Sequence, residues 1–168
     1  MQTQKRQDGF SLIELLIVVA IIGIIAAIAI PNLLASRRAA NEGSAQSSLR
    51  TIHSSQATYQ ATAGNGNFGT MVQLGPQGGG GQGLIDAVLA SGVKSGYTFA
   101  VTPVDFVVNV SAASFSAVAR PTVPSGVSQS GTRKFGLTED GVMHGQTDAL
   151  GTQLTAAELI LTTNVLGN

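Results

Sequence analysis

The chain has no cysteine, and it has few charged or aromatic side chains. The absence of cysteine excludes disulfides, thiolate metal ligands and cysteine nucleophiles. Charged residues make up 11 % of the sequence and the formal net charge is zero, so no basic surface for nucleic acid is indicated. Six phenylalanines and two tyrosines stand against 21 glycines, which indicates a modest core with many loops. The 168 residues allow one membrane segment and one domain of roughly a hundred residues.

One long apolar run, residues 9–31, lies near the amino terminus. Within residues 10–30 every side chain is apolar or small except Ser11 and Glu14. At about 1.5 Å per residue, a helix of this length spans a hydrocarbon core roughly 30 Å thick. A carboxylate in such a helix costs on the order of 2.5–3.5 kcal/mol at the bilayer centre, so Glu14 requires an explanation. Locally, Ser11 followed three residues later by Glu14 fits a capping box.

The charges that flank this run predict its orientation. Lys5 and Arg6 precede it, and by the positive-inside tendency the amino end stays in the cytoplasm while the rest is exported, although Arg37 and Arg38 weaken the asymmetry. A secretory signal peptide is the alternative, with small residues at 27–29 as a cleavage pattern. The run is longer than a usual signal h-region and contains an acid, which argues against that alternative.

The sequence from Lys5 to about Asn41, with GFSLIELL and an apolar run that ends in proline, resembles the amino-terminal signature of type IV pilins and of type II secretion pseudopilins. The resemblance implies that a prepilin peptidase cuts between Gly9 and Phe10 and methylates Phe10 as the new first residue. It also implies that Glu14 pairs with the amino terminus of a neighbouring subunit in a filament.

Two helix-weakening residues lie in the same run. Gly23 costs about 1 kcal/mol relative to alanine in a helix, and Pro31 removes one N–H and crowds the carbonyl of Ala27. A bend or local loosening is therefore expected near residues 27–31. By the same resemblance, the segment from Gly23 to Pro31 loses helicity in the filament and makes it extensible.

Beyond Pro31 a helical pattern continues to about Thr62. Apolar side chains recur there at steps of three and four residues, interrupted by Gln56: Ala45, Leu49, Ile52, Tyr59 and Ala63. Arg38 and Glu42 are four residues apart and are expected to form an exposed pair. The resulting helix, roughly 80 Å long, exceeds any compact domain of this size, so its first half is expected to be buried in lipid and then among copies of itself.

The rest of the chain reads as a glycine-rich connection followed by strands. Residues 64–69 and 78–83 fit GxGxxG, but neither follows a strand within a βαβ unit, so both are predicted to be loops. A short helix is predicted at 84–92. The β-prone segments are 96–101, 105–110, 114–119, 133–138 and 141–145, with a hairpin turn at Glu139, Asp140 and Gly141. Their number is left between three and five strands.

These elements predict an α+β, pilin-like fold, in which the carboxy-terminal half of the long helix packs on a small antiparallel sheet. The predicted segments are a cleaved leader (1–9), a membrane or fibre-core half-helix (10–31), an amphipathic half-helix (32–63), a connection (64–94), a sheet (95–146) and a tail (147–168).

Residues with catalytic or metal-binding chemistry are sparse. His53 and His144 have no evident carboxylate partner and are interpreted as structural or surface residues. Glu139, Asp140 and Asp148 are weak candidates for calcium, since acids beside a glycine are first of all a turn. No catalytic residue, no cofactor and no specific nucleic acid is predicted.

The resemblance to type IV pilins, together with the sparse catalytic chemistry, therefore implies a non-enzymatic structural subunit of a type IV pilus. Its predicted partners are copies of itself in a helical filament, a prepilin peptidase and the pilus assembly machinery. It would begin as a single-pass inner-membrane precursor and end in a pilus on the cell surface, serving adhesion, motility or DNA uptake. The alternatives are a pseudopilin of a type II secretion system and a monomeric membrane-anchored binding domain.

Overall fold

The computed structural model describes residues 10–109, 111–147 and 165–166. The chain divides into two compact units, Met1–Ser36 and Arg37–Asn168. Three helices and one 3-10 turn come first: α1 Leu12–Ala61, α2 Met71–Leu74, the turn Gln77–Gly79, and α3 Ala87–Ala90. Five strands follow: β1 Val93–Lys94, β2 Tyr97–Val104, β3 Ser114–Pro121, β4 Arg133–Thr138 and β5 His144–Thr147.

Helix α1 confirms the predicted long helix to within two residues at each end. It is helical through Gly23 and through Pro31, so the predicted loosening at residues 27–31 is not seen in this structure. Beside the proline, the side-chain amide of Asn32 donates to the carbonyl of Ile28 at 3.1 Å. The loss of helicity expected in a filament concerns a different environment and stays a prediction.

The first unit exposes apolar surface along its whole helical length. Every large apolar side chain from Leu12 to Ile24 is at least half exposed, and the 18-residue apolar window of α1 has none of its residues buried. By length and composition, α1 is the one helix among the described residues that could cross a membrane.

In the second unit, α1 contributes one face to the core. Ala45, Leu49 and Ile52 are completely buried, and Tyr59 is nearly so, as the periodicity predicts. Ala63 lies beyond the helix and is exposed, so the predicted stripe ends at Tyr59. The polar residue in the stripe, Gln56, is also completely buried.

The strands form one antiparallel sheet in the order β1-β2-β3-β4-β5. Tyr97 pairs with Pro121, Ser116 with Thr138, and Lys134 with Gln146 across successive strand pairs. Alternate side chains of this sheet pack on the buried stripe of α1, and together they form the core of the unit: Tyr97, Phe99, Phe115, Ala117, Ala119, Phe135 and Leu137. The predicted α+β fold is confirmed, with five strands in the described part of the chain.

The β-prone segment at residues 105–110, which left the predicted number of strands open, does not form a strand over its described residues 105–109. Val107 and Ser111 form an isolated bridge with two reciprocal backbone hydrogen bonds, and Asn109 has φ of 60°. The segment is therefore a tight connection between β2 and β3. Its described apolar residues are exposed, with Phe106 at 56 %, Val107 at 50 % and Val108 at 69 %. Because these side chains have no core to pack against, their hydrophobicity did not produce a strand.

One of the five strands, β1 at the edge of the sheet, was not predicted because it has only two residues. The hairpin turn at Glu139–Gly141 is confirmed, since Gly141 donates to the carbonyl of Thr138 at 3.0 Å and has φ of 73°. Helix α3 lies within the predicted segment 84–92, and the Asp86 carboxylate caps it by accepting from the amide of Leu89 at 2.7 Å. The two glycine-rich segments lie in the irregular connection, as predicted.

Candidate functional site

The start of α1 is organised by Glu14. The backbone amide of Ser11 donates to Glu14 Oε2 at 2.9 Å, and the amide of Leu15 donates to the Ser11 carbonyl at 3.2 Å. Ser11 therefore occupies the N-cap and Glu14 the third helical position, where a carboxylate satisfies a free N–H and favours the helix dipole. Of the two hydrogen bonds of the predicted capping box, the one from the Ser11 amide to the Glu14 carboxylate is present.

Phe10 precedes this cap and lies outside the helix, with 94 % of its surface exposed. Gly9 lies outside the described residues. Because the helix begins at Leu12, Phe10, the residue that follows the predicted cleavage point, is non-helical. Cleavage between Gly9 and Phe10 would place a new amine on Phe10, one residue before Ser11. Glu14 already accepts a hydrogen bond from the Ser11 amide.

The surface around Glu14 is apolar. A shallow pocket of about 430 Å³ is lined by Phe10, Glu14, Leu15, Ile17 and Val18. Glu14 is the only charged residue in the sequence from Phe10 to Ser36. No cation of this segment can therefore neutralise the carboxylate, and an unpaired charge moved into an apolar setting is costly.

A second carboxylate, Glu42, joins α1 to the sheet. Glu42 is 7 % exposed, and its carboxylate accepts from the Thr132 amide at 2.8 Å, the Thr132 hydroxyl at 2.6 Å and Arg133 Nε at 2.9 Å. Burial raises the pKa of Glu42, but the hydrogen bonds from Thr132 and Arg133 outweigh that effect and hold the pKa below its usual range.

The predicted exposed pair of Arg38 and Glu42 is wrong. Arg38 Nη1 donates to Gln129 Oε1 at 3.3 Å, whereas Glu42 points to the sheet and pairs with Arg133. A spacing of four residues along α1 allows Glu42 to pair with Arg38 but does not require it, so Glu42 could also pair with a residue outside the helix. The partners of Glu42 lie about ninety positions away in sequence, so no local signal could identify them.

Gln56 fixes the connection that follows α1. Its side-chain amide donates to the Gly69 carbonyl at 2.6 Å, and its Oε1 accepts from the Gly69 amide at 2.8 Å. The buried amide thus satisfies both backbone groups of one loop residue, which explains a polar side chain in the apolar stripe.

The histidines have structural positions. His53 Nε2 lies 3.3 Å from the carbonyl oxygen of Glu139, and its ring centroid is 6.0 Å from that of Phe115. His144 is buried at the start of β5 and bridges to Val165. Neither is brought to a carboxylate side chain within the described residues.

The calcium candidates are not brought together by what the structure describes. Asp140 Oδ1 accepts from the Thr138 hydroxyl at 2.6 Å and from the Val142 amide at 3.0 Å, as in a turn. Asp148 lies outside the described residues, so the predicted cluster stays untested. Within residues 10–109, 111–147 and 165–166, no three acidic or histidine side chains are placed to hold a metal ion.

Residues 4–30 match the family model described as the prokaryotic N-terminal methylation motif. The chain is 46 % identical over 54 residues to the type IV major pilin protein PilA of Myxococcus xanthus, covering 32 % of this chain and 24 % of that protein. It is 50 % identical over 56 residues to the type IV wide pilus major component PilA4 of Thermus thermophilus, covering 33 % of this chain and 43 % of that protein.

The type II secretion system core protein G of Aeromonas hydrophila is 32 % identical over 57 residues, covering 34 % of this chain and 40 % of that protein. The chain thus spans less than half the length of each of these relatives. No solved structure matches the chain significantly. Residues 4–30 therefore carry the prokaryotic N-terminal methylation motif, and about a third of the chain is similar to type IV pilins and to type II secretion core protein G.

Proposed function

We propose that this chain is a structural subunit that polymerises into a type IV pilus through its amino-terminal helix. Cleavage between Gly9 and Phe10 and methylation of Phe10 precede assembly. The observation that carries the proposal is Glu14, the one charge from Phe10 to Ser36, exposed on an apolar helix with no cation in that segment to neutralise it.

Cleavage of the leader supplies the missing cation. The new amine at Phe10 is positive at neutral pH, and in an apolar environment both it and the Glu14 carboxylate are stabilised by pairing. Within one subunit, Glu14 already accepts from the Ser11 amide. Pairing Glu14 with the amine of a neighbouring subunit neutralises both charges and fixes the axial position of one helix relative to the next.

The apolar surface of the first unit has to be covered both before and after assembly. From Leu12 to Leu33 its large aliphatic side chains are about half to four-fifths exposed, and each such side chain left fully exposed to water would cost about 1.5–3 kcal/mol relative to burial. Lipid covers this surface in the inner-membrane precursor, and other copies of the helix cover it in a fibre. A prepilin peptidase and the pilus assembly machinery are the partners this route requires, and the product is a pilus on the cell surface.

We infer that, in the fibre, α1 loses its helicity in the segment from Gly23 to Pro31. Pro31 has no N–H to donate to the carbonyl of Ala27, so this part of the helix has one hydrogen bond fewer to break. The segment is helical in the structure of the single chain. Loss of its helicity would lengthen the subunit, because an extended residue rises about 3.3 Å against about 1.5 Å in a helix.

The decisive experiment replaces Glu14 with glutamine. Glu14→Gln keeps an acceptor for the Ser11 amide and removes only the charge, whereas Glu14→Asp keeps the charge on a shorter side chain. Sheared surface filaments are quantified by electron microscopy and immunoblot, and mass spectrometry measures methylated Phe10 in the membrane pool.

We expect at least about a tenfold loss of filaments in Glu14→Gln, with processed subunit accumulating in the membrane, and partial recovery in Glu14→Asp. Normal filament yield in Glu14→Gln would refute the charge-pair mechanism. In that case the apolar surface of the helix would be sufficient for polymerisation without the charge pair.

The similarity to core protein G keeps a type II secretion pseudopilin as the second candidate. The stretches similar to the two pilins have higher identity, 46 % and 50 % against 32 %, which favours the pilus. Abundant long surface filaments would support the pilus, and a short periplasmic fibre needed for protein export would support the pseudopilin. A membrane-anchored monomer would instead keep its activity in Glu14→Ala without assembling.

A further inference from the structure

The second unit contains a polar pocket that the proposed assembly does not use. It has a volume of about 390 Å³ and lies where the end of α1, the loop after it and the end of β2 meet. Its size is near the lower end of the range of about 300–1,000 Å³ typical of small-molecule sites. All its lining residues, from Tyr59 to Asp105, belong to the same unit.

The walls of this pocket are held in place by contacts with neighbouring residues. The Tyr59 ring packs against Gly64 and Gly69, where an added Cβ would lie 2.9 Å and 3.1 Å from the ring. Asn67 Oδ1 accepts from the Phe106 amide at 2.8 Å. Glycine at 64 and 69 is thus required by the ring, and the loop is fixed around the tyrosine.

The side chain of Gln73 is fixed in the same way. Gln73 Oε1 accepts from the Thr70 amide at 2.8 Å as part of the capping box of α2. With their oxygens occupied, Gln73 and Asn67 each keep a side-chain NH₂ group that has no hydrogen-bond partner among the described residues and can act as a donor. Both amides are therefore oriented by the protein and still able to bind a ligand.

Two further groups are available in the pocket. Within the described residues, neither the Tyr59 hydroxyl nor the Asp105 carboxylate has a hydrogen-bond or ion-pair partner. The hydroxyl donates and accepts, and the carboxylate accepts up to four hydrogen bonds. The pocket thus combines fixed donors with one strong acceptor.

The chemistry of this lining selects the class of ligand. Asp105 is its one charged residue and no lysine or arginine lines it in the described part of the chain, which disfavours anions. One carboxylate is too few for calcium, which takes six to eight oxygen ligands. Phe68 and Pro103 add apolar rings beside the polar groups.

We propose that this pocket binds a neutral saccharide of one or two rings. A pair of adjacent sugar hydroxyls can donate to both oxygens of Asp105, while other sugar oxygens accept from Asn67 and Gln73. The C–H face of the sugar can lie on the rings of Phe68 and Pro103. A neutral polyhydroxylated ring is the ligand that uses the carboxylate, the amides and the apolar rings together.

The test uses the full chain in a zwitterionic detergent, because detergents with sugar headgroups would compete for the pocket. Saturation-transfer NMR screens glucose, galactose, mannose, N-acetylglucosamine, lactose and maltose, and titration of the sugar that responds gives its Kd. Glucuronate and calcium chloride are tested separately. The experiment does not require filament formation, so its result is independent of the proposed assembly function.

We expect at least one neutral sugar to bind more tightly than glucuronate. Asp105→Asn should raise its Kd by about tenfold or more, and Tyr59→Phe by about two- to tenfold, since bonds to a charged acceptor are stronger. Arg50→Gln, which changes one exposed charge on α1 outside the pocket, is the matched control and should leave the Kd unchanged. Thermal unfolding of each variant verifies that it folds.

Three results would overturn the proposal. The first is saturation transfer to none of the six sugars. The second is a Kd that stays within about twofold of wild type in both folded pocket variants. The third is calcium binding that Asp105→Asn abolishes, without sugar binding, which would assign the pocket to a cation instead.

Discussion

Replacement of Glu42 tests whether the contact between α1 and β4 is electrostatic. Glu42→Ala removes three hydrogen bonds, one of them from the guanidinium of Arg133. Breaking a buried ion pair costs about 3–5 kcal/mol, but the Arg133 side chain is 43 % exposed, so solvent weakens its share. We expect a loss of about 2–4 kcal/mol for Glu42→Ala and somewhat less for Glu42→Gln.

The lowered pKa of Glu42 determines how its contribution to the unfolding free energy changes with pH. Because the pKa of Glu42 is lowered in the folded chain, its contribution is complete above the carboxyl pKa of the unfolded chain, about 4.3, and is lost as the pH falls through the folded value. The difference in unfolding free energy between wild type and Glu42→Gln should therefore be large at pH 7 and shrink in acid.

The measurement is thermal and urea unfolding of the full chain in detergent, followed by circular dichroism at several pH values. Arg38→Gln is the control, because Arg38 donates to Gln129 rather than to Glu42, and it should cost less than about 1 kcal/mol. Equal stability of Glu42→Gln and wild type at pH 7, or a difference that does not change with pH, would refute the reasoning.

Two other changes test the packing around α1 and the sheet. Gln56→Leu should destabilise the chain by about 2–4 kcal/mol, because it leaves the amide and carbonyl of Gly69 buried and unpaired; an unchanged urea midpoint would contradict this. Gly131→Ala should lower the Tm, because its Cβ would overlap the hydroxyl of Tyr97. Gly43→Ala is the control, because an added Cβ at this position in the interior of α1 has no neighbouring atom within 4 Å. It should stabilise the chain by about 0.5–1 kcal/mol. A similar Tm for the two variants would be evidence against the clash at Gly131.

Features that depend on neighbouring residues could be predicted from the sequence. The length of α1 follows from its apolar run and continued helical period, and its buried face from Ala45, Leu49 and Ile52 at helical spacing. Ser11 and Glu14 form their contact within one helical turn, so the cap was also predictable. The methylation motif is likewise a continuous stretch of chain.

Features that depend on distant residues were decided only by tertiary structure. The sequence allowed Glu42 to pair with Arg38, but the approach of β4 to α1 gave it Thr132 and Arg133 instead. Segment 105–110 has the composition of a strand, yet the register of β2 with β3 leaves it at the turn.

The polar pocket likewise exists only in the folded chain, because α1, the loop after it and β2 meet there. Tyr59 and Asp105 are 46 positions apart in the sequence, and neither residue alone indicates a binding site. The sequence by itself therefore determined the amino-terminal helix, its charge and the face it buries, because these depend on local spacing. The partners of its polar side chains were decided by strand register and by which surfaces remained exposed after the core had formed.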